Sequence, residues 1–186
     1  MNTELLKRVV IREARTEDDA AIGELLVEAF VTQYAKKLPE VVYTEARKQS
    51  LRDTASKRAV AKVLVAELDG RVVGTVALWP PGAPGSEAWL PGAADLRHLA
   101  TSVELHGQGL SIPLMEAAER VAREWGVPAI CLHVRRGAAG VARMYQRRGF
   151  TREPSADLDT PSVYLEAYVL RLAGRGQGGD RHEPHG

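Results

Sequence analysis

Cysteine is nearly absent from this sequence, and its scarcity limits the classes of protein to which the chain can belong. Cys131 is the only cysteine in 186 residues. No disulfide can therefore form within the chain, which suits a reducing compartment. Cys131 lies inside the apolar run 129–134, a setting that favours a buried, inert thiol over a nucleophile.

Long apolar segments and a strong charge of one sign are also missing. No apolar run approaches the ~20 residues that a membrane-spanning helix needs, and residues 1–8 lack the apolar centre of a secretory signal peptide. The formal net charge is +1, which argues against a nucleic-acid surface and against a basic membrane anchor. We therefore expect a cytoplasmic protein that binds neither nucleic acid nor a membrane.

The remaining composition is that of an ordinary globular protein. Hydrophobic residues make up 45% of the chain and charged residues 26%, and the length fits one domain with a proper core. We predict a single domain over residues 1–172. Residues 173–186 are rich in glycine and polar groups, so we expect a disordered tail. Its histidines, His182 and His185, are expected to be solvated, and we predict no metal site.

Hydrophobic periodicity and turn residues predict a chain in which strands and helices alternate. Thr16 is the expected N-cap of the first helix, and Asp69-Gly70 is typical of a hairpin turn. The predicted strands cover residues 9–14, 59–68, 71–78, 94–101, 129–134, 150–153 and 164–172. The predicted helices follow Thr16 and cover residues 42–55, 110–125 and 140–148.

A glycine-bearing turn between the strand 94–101 and the helix 110–125 is the clearest chemical signal. A helix N-terminus has unpaired N–H groups and a partial positive charge, so it binds phosphate without a lysine. The turn lacks the lysine of a Walker P-loop and the three glycines of a dinucleotide-binding fingerprint. Alone, it predicts either a phosphate site for an unnamed ligand or a plain tight loop. Its residues are His106, Gly107, Gln108, Gly109, Leu110 and Ser111.

The order of elements and two separate motifs resemble the GNAT family (Gcn5-related N-acetyltransferases) over residues 9–172. The turn 106–111 stands where that family has Arg/Gln-x-x-Gly-x-Gly/Ala. Residues 99–101, Leu-Ala-Thr, stand where its fourth strand ends with a Leu-Ala-Val-like run. Residues 142–150 are similar to its Ala-x-x-Leu-Tyr-x-x-x-Gly-Phe motif.

The resemblance implies an α/β (α+β) fold with a mixed, mostly antiparallel, twisted sheet of six to seven strands and about four flanking helices. It also implies an N-acetyltransferase that passes the acetyl group of acetyl-CoA to a primary amine of a small molecule or peptide by direct attack. The fourth and fifth strands are expected to splay apart around the cosubstrate. The implied acetyl-CoA contacts are Leu99, Ala100, Thr101, His106, Gly107, Gln108, Gly109, Leu110 and Ser111.

The same resemblance implies catalytic roles. Tyr145 matches the tyrosine that protonates the leaving thiolate, although packing beneath Phe150 is the alternative reading. His98 is the preferred general base, because it alternates in phase with Ala100 along the strand. A water relay could replace a single base. Other candidate bases are Asp95, Glu104, Glu87 and His133. The aromatic side chains that could wall an acceptor pocket are Phe30, Tyr34, Tyr43, Trp79, Trp89 and Tyr164.

Two departures from the family pattern keep alternatives open. His106 stands where Arg or Gln is usual, and the Asn that often precedes the short helix is missing. These departures motivate a second hypothesis, a catalytically weak module that senses acyl-CoA. A third hypothesis is a nucleotide-phosphate binder unrelated to CoA. Family members are often dimers, so a homodimer is compatible with the resemblance.

Overall fold

The computed structural model describes residues 1–37 and 44–173. The beginning of the helix predicted over 42–55, Tyr43, and all of the predicted tail except its first residue lie outside the described residues. Within the described ranges the chain forms one eight-stranded sheet with helices packed on both faces, which confirms the mixed α/β prediction. The count exceeds the six to seven expected strands because two of the eight contain only two residues.

The bounds of the elements follow the chain from the first helix to the last strand. The strands are β1 (Val10–Glu13), β2 (Lys62–Leu68), β3 (Arg71–Trp79), β4 (Ala94–Thr101), β5 (Ala129–Arg135), β6 (Thr151–Arg152), β7 (Leu158–Asp159) and β8 (Tyr164–Arg171). The α-helices are α1 (Thr3–Arg8), α2 (Asp19–Val27), α3 (Gln33–Lys37), α4 (Glu45–Arg52), α5 (Thr54–Val60), α6 (Ser111–Trp125) and α7 (Ala139–Arg147). A π-helical segment, Glu28–Thr32, joins α2 to α3.

The strand order across the sheet is β1-β2-β3-β4-β5-β8-β6, and β7 pairs with β8. Every pairing is antiparallel except that of β4 with β5. This one parallel pair is short, because only Ala94 with Ile130 and Asp95 with Cys131 are in register. Beyond Asp95 the two strands diverge and leave an opening in the middle of the sheet, as the resemblance implies.

Two apolar layers hold the helices to this sheet. On one face α6 buries Leu114, Met115 and Ala118 completely. On the other face α2 buries Ile22 and Leu26 against strands of the same sheet. Both layers contact β3 and β4. Strand β4, which borders the opening, is therefore packed on both faces.

Local chemistry explains where the predicted boundaries differ from the structure. The helix expected over 42–55 is two helices, because Asp53 ends α4 and its carboxylate then caps α5 by accepting the Ser56 N–H at 3.2 Å. Residues 59 and 60 belong to α5 rather than to the strand expected from 59. Thr16 makes no side-chain cap; the carboxylate of Asp18 accepts the Arg15 N–H at 2.7 Å instead.

The first helix, α1, is absent from the sequence prediction. Asn2 caps it by accepting the Leu5 N–H at 3.1 Å, and its single buried side chain is Leu5.

The hairpin turn is confirmed, since Asp69 and Gly70 have φ angles of 50° and 79°, as a type I′ turn requires. No helix in the described ranges combines the length and apolarity needed to cross a membrane.

Candidate active site

A β-bulge in β4 shapes the opening between β4 and β5. Thr75 pairs with Ala100 and Ala77 pairs with Arg97, so β4 uses three steps where β3 uses two. The extra residue accompanies a φ of 59° at His98, a left-handed value that is uncommon outside glycine. Such bulges re-aim side chains and are frequent beside active sites.

The bulge places two consecutive side chains on the same face of the sheet. The guanidinium of Arg97 lies 4.6 Å from the ring centre of Trp79. The imidazole of His98, the next residue, lies edge on to the same tryptophan, with the two ring centres 6.0 Å apart. His98 shares a face with Ala100, two residues further along the strand, as predicted, and the bulge adds Arg97 to the same face.

The edge of β4 that faces β5 is open over most of its length. Residues 96–101 run alongside β3, yet within the described chain none of them pairs with β5. Leu99, Ala100 and Thr101, the predicted ligand-binding residues of this strand, all belong to this stretch. Backbone groups on the β5 side of this stretch are therefore available to an extended ligand lying between the two strands, except the carbonyl oxygen of Thr101, which already has a side-chain partner.

The glycine turn follows directly and has the geometry that requires glycine. Gly107 and Gly109 have φ angles of 79° and 90°, which side chains with a Cβ rarely adopt. The backbone amides of Gly109, Leu110 and Ser111 have no acceptor among the described residues. They stand at the start of α6, a helix of 15 residues, so its partial positive charge adds to their attraction for an anion.

A cleft of about 460 Å³ lies over this turn. It joins the end of β4 to the start of α6 and to the C-terminal half of α7. Most of the predicted turn residues line it, together with residues that the sequence motifs do not mark. The lining residues are Met1, Thr101, Leu105, His106, Gly107, Gly109, Leu110, Ser111, Ile112, Met144, Arg147 and Arg148.

Two side chains of the turn already have partners within the protein. Nε2 of His106 lies 3.2 Å from the carbonyl oxygen of Thr101, which ties the turn to the end of β4. The carbonyl oxygen of Gln108 accepts the Asn2 N–H at 3.1 Å, and the two side chains bond at 3.0 Å. Gln108 therefore anchors the N-terminal segment, a contact that no local sequence pattern marks.

Arg147 contributes a positive charge that the sequence analysis missed. It lines the cleft, is exposed, and contacts no carboxylate in the part of the chain that the structure describes. Its neighbour Arg148, by contrast, is held by Glu119. The position of Arg147 within the 142–150 motif was visible in the sequence, but its direction toward the cleft depends on how α7 packs.

Tyr145 is buried in α7, with 5% of its surface exposed. Its ring packs edge on against Phe150 at 5.5 Å, so the packing role expected as the alternative is present. Burial raises the pKa of the phenol well above its ordinary value, and nearby Tyr34 raises it further. The phenol is therefore protonated at neutral pH, and its hydroxyl has no hydrogen-bond partner among the described residues.

Lys57 and His98 form a buried pair beside the bulge. Nζ of Lys57 lies 3.0 Å from Nδ1 of His98, and only 8% of the lysine is exposed. Burial lowers the pKa of Lys57 to about 8. Burial, and after it the charge of Lys57, holds the pKa of His98 well below its usual value, so the imidazole is neutral at pH 7.

The other candidate bases are occupied or remote from this pair. Asp95 accepts a bond from Arg97 at 2.7 Å, and Glu87 lies 3.5 Å from the same guanidinium. Nε2 of His133 lies 3.0 Å from the carbonyl oxygen of residue 156. Glu104 is exposed on the loop after β4.

The aromatic residues divide into two groups. The ring of Phe30 lies 6.1 Å from that of His98 and 6.4 Å from that of Tyr34, so Phe30 and Trp79 both lie beside the imidazole. The other two lie elsewhere: Trp89 packs on His133, and Tyr164 lies under Arg136. Phe30 belongs to the π-helical segment Glu28–Thr32, and such segments are frequent at functional sites.

The single thiol takes no part in this site. Cys131 is completely buried in β5, and burial raises its pKa. Burial confirms the prediction of a buried thiol, and the raised pKa disfavours the thiolate form that reacts.

The sequence also matches a known family. A sequence model of the acetyltransferase (GNAT) family matches residues 20–150, which include β4, the glycine turn, α6 and α7. No match is found among proteins with curated descriptions.

Solved structures share the fold at low sequence identity. An acetyltransferase of the GNAT family from Staphylococcus aureus Mu50 is 14% identical, with a TM-score of 0.67 over 89% of this chain and 99% of that one. The PaiA N-acetyltransferase of Thermoplasma acidophilum, in complex with coenzyme A, is 19% identical, with a TM-score of 0.63 over 86% and 97%. A GNAT family acetyltransferase from Elizabethkingia anophelis with acetyl-CoA bound is 13% identical, with a TM-score of 0.59 over 89% and 99%.

Proposed function

This chain belongs to the acetyltransferase (GNAT) family, and from that membership we propose that it transfers the acetyl group of acetyl-CoA to a primary amine of a small molecule or peptide. The observation that carries the proposal is the continuity of the open β4 edge with the glycine turn. The open edge of β4 can bind the extended pantetheine arm of acetyl-CoA, and the glycine turn at the end of that strand can bind its phosphates.

The glycine turn is the proposed site for the pyrophosphate of acetyl-CoA. Free amides at Gly109, Leu110 and Ser111, at the start of a long helix, are suited to bind phosphate oxygens. Arg147 adds a positive charge at the rim of the same cleft. That two proteins of this fold carry coenzyme A or acetyl-CoA supports this assignment.

The open edge of β4 is the proposed site for the pantetheine arm and the thioester. Backbone groups of Leu99, Ala100 and Thr101 have no partner on β5 among the described residues. An N–H group at this edge can donate to the thioester carbonyl as negative charge develops on its oxygen. A fixed donor at that position stabilises the transition state more than the ground state.

Once the ammonium form of the acceptor has lost a proton to become a neutral amine, the reaction moves one further proton from nitrogen to sulfur. The amine nitrogen attacks the carbonyl carbon, the C–N bond forms, the C–S bond breaks, and the thiolate leaves. Tyr145 is the proposed acid that protonates this thiolate, because it occupies the position of the family's tyrosine in the 142–150 motif, and its hydroxyl is protonated in the resting enzyme. The proton released by the amine replaces the one that Tyr145 gives up.

The route by which the amine loses its proton depends on Lys57. An ammonium can only donate, so at neutral pH Nδ1 of His98 accepts from Lys57, and Nε2 carries the imidazole proton. His98 can then act as the general base only when Lys57 is neutral, which requires a pH above about 8. At neutral pH we propose that a water relay takes the proton.

A thiol-release assay tests the proposal directly. The protein is mixed with acetyl-CoA and a panel of primary amines, and free thiol is measured alongside acetyl-CoA binding by calorimetry. Thiol release that requires a particular amine is the expected result. Acetyl-CoA binding without release across the panel would favour the sensor hypothesis, and ATP binding without acetyl-CoA binding would favour the nucleotide hypothesis.

A further inference from the structure

Lys57 differs from the half-buried arginines of the described chain because it has no carboxylate partner. Among residues 1–37 and 44–173, the one hydrogen-bond partner of its Nζ is Nδ1 of His98, at 3.0 Å. Five partly buried arginines, all more exposed than Lys57, each contact at least one carboxylate. They are Arg12, Arg58, Arg97, Arg148 and Arg152.

An unpaired buried ammonium is costly. Removing it from water carries a penalty that only an opposite charge or several hydrogen bonds offset. The neutral imidazole of His98 provides one lone pair and no charge. Burial lowers the pKa of Lys57 to about 8, so at pH 7 most molecules still carry this uncompensated cation. A negative group that bound beside Lys57 would relieve this penalty.

Two other positive charges act on His98 besides that of Lys57. Arg47 and Arg97 both act on the imidazole as positive charges, in addition to Lys57. Asp95 neutralises Arg97. Arg47 is exposed on α4 and contacts no carboxylate within the ranges that the structure describes. A polyamine would be repelled here, whereas an anionic group would be attracted.

The position of the pair links this charge to the proposed chemistry. His98 immediately precedes Leu99, the first residue of the backbone edge proposed for the thioester. Lys57 offers N–H donors, and His98, whose Nδ1 is occupied, offers its Nε2–H. The rings of Phe30 and Trp79 lie beside His98, so two donors and two aromatic rings come together beside the strand edge proposed for the thioester.

We propose that the acceptor is an amine that also carries a carboxylate, and that Lys57 binds this carboxylate with His98 as the second donor. The inference rests on the proposed acetyl transfer and names the substrate class of that same site. Lys57 recognises the acceptor in this scheme and takes no part in breaking the thioester.

Matched acceptors test the proposal. L-phenylalanine is compared with L-phenylalaninamide, and a series of ω-amino acids is compared with the corresponding amides, each by kcat/KM in the thiol-release assay. The wild type should prefer the carboxylate of at least one pair by roughly ten- to a hundredfold, as expected for a hydrogen bond to a charged group. In Lys57→Met that ratio should fall toward one.

The control variant is Lys62→Met, which removes an equal charge from a lysine that is paired with Glu13 at 3.2 Å. It should keep the wild-type ratio. Lys57→Gln is a second variant in case the methionine perturbs packing. Equal kcat/KM for acid and amide in the wild type, or an equal loss for both in Lys57→Met, would overturn the proposal.

Calorimetry separates this inference from the proposed function. If no probe is acetylated, acetyl transfer fails, and the carboxylate site is judged by binding of the same probes in the presence of coenzyme A. Binding of an acid but not its amide to the wild type, lost in Lys57→Met, would uphold the site. Absence of binding by every acid would refute it.

Discussion

Nζ of Lys57 lies 3.0 Å from Nδ1 of His98, and this contact decides which proton the histidine can offer. With Nδ1 accepting from an ammonium, the neutral imidazole presents Nε2–H toward its surroundings. The residue predicted as a general base is therefore a hydrogen-bond donor at neutral pH. The sequence could suggest His98 as an important residue, but its role depends on a lysine 41 positions away.

The buried lysine predicts a pH-dependent gain in stability on its removal. The pKa of Lys57 is about 8 in the folded chain and near 10.5 when unperturbed. Between these values the unfolded chain binds more protons, so the free energy of unfolding of the wild type rises with pH across this window. Lys57→Met should be more stable than wild type below pH 8, by up to about 3 kcal/mol, and the difference should shrink near pH 10.

Denaturant unfolding at pH 7 and pH 10 measures this effect. Lys62→Met serves as the control, because Lys62 lies at the surface beside Glu13 and should show no comparable change between the two pH values. A Lys57→Met variant destabilised equally at both pH values would show that the folded protein accommodates the ammonium without a penalty.

Removal of one oxygen from Tyr145 should slow turnover without unfolding the protein. In Tyr145→Phe we expect kcat to fall roughly a hundredfold or more, within the range for loss of a general acid, while the Kd for acetyl-CoA changes little. Stability should be nearly unchanged, because the hydroxyl makes no hydrogen bond among the described residues. Tyr168→Phe, at an equally buried tyrosine of β8, is the matched control. Unchanged kcat in Tyr145→Phe would leave only the packing role.

Elements with strong local signals could be predicted from the sequence. The bounds of β4 and the hairpin at Asp69-Gly70 agree with the structure, because strand alternation and turn residues are encoded over a few positions. The glycine turn was predictable for the same reason, since φ angles of 79° and 90° at Gly107 and Gly109 demand glycine in any context.

Features that depend on distant packing could not be predicted. Lys57 lies in a polar helix between Ser56 and Arg58, and nothing nearby indicates that it is buried. The bulge at His98 is equally hidden, because an extra residue in β4 becomes evident only against the register of β3. The N-cap residue of the short helix α1, Asn2, is bonded to Gln108, which lies more than a hundred positions away in the sequence.

Glycine at position 109 should matter more for acetyl-CoA binding than for folding. A Cβ at this position would lie 3.0 Å from Cγ of Met1, and the residue that carries it would have to adopt a φ of 90°. In Gly109→Ala we expect a stability loss of about 1–2 kcal/mol from backbone strain and at least a tenfold weaker Kd for acetyl-CoA, because the free amides of the turn would shift.

Gly126→Ala isolates the strain from the binding effect. Gly126 ends α6, opposite to the turn, with a φ of 71° and no atom near its missing Cβ. It should lose similar stability in thermal unfolding yet bind acetyl-CoA as the wild type does. Equal affinities in the two variants would argue against the turn as the pyrophosphate site.

Arg147 should contribute a small, salt-dependent share of acetyl-CoA affinity. Its guanidinium lines the cleft over the glycine turn but is exposed to solvent, so its attraction for phosphate is screened by water and salt. In Arg147→Gln we expect the Kd to rise roughly two- to fivefold at low salt, the scale of an exposed ion pair. The wild-type Kd should rise more steeply with ionic strength than that of the variant.

Arg123→Gln is the matched control for this last effect. Arg123 is also exposed and also lies on an element that flanks the cleft, but it occupies the last turn of α6, far from Gly109. The two variants have the same net charge, so a general electrostatic effect would lower affinity in both. A specific contact with phosphate would change the salt dependence of Arg147→Gln alone, as measured by calorimetry at several ionic strengths. Identical salt dependence in both variants would show that Arg147 acts on the ligand only through its long-range charge and makes no specific contact with phosphate.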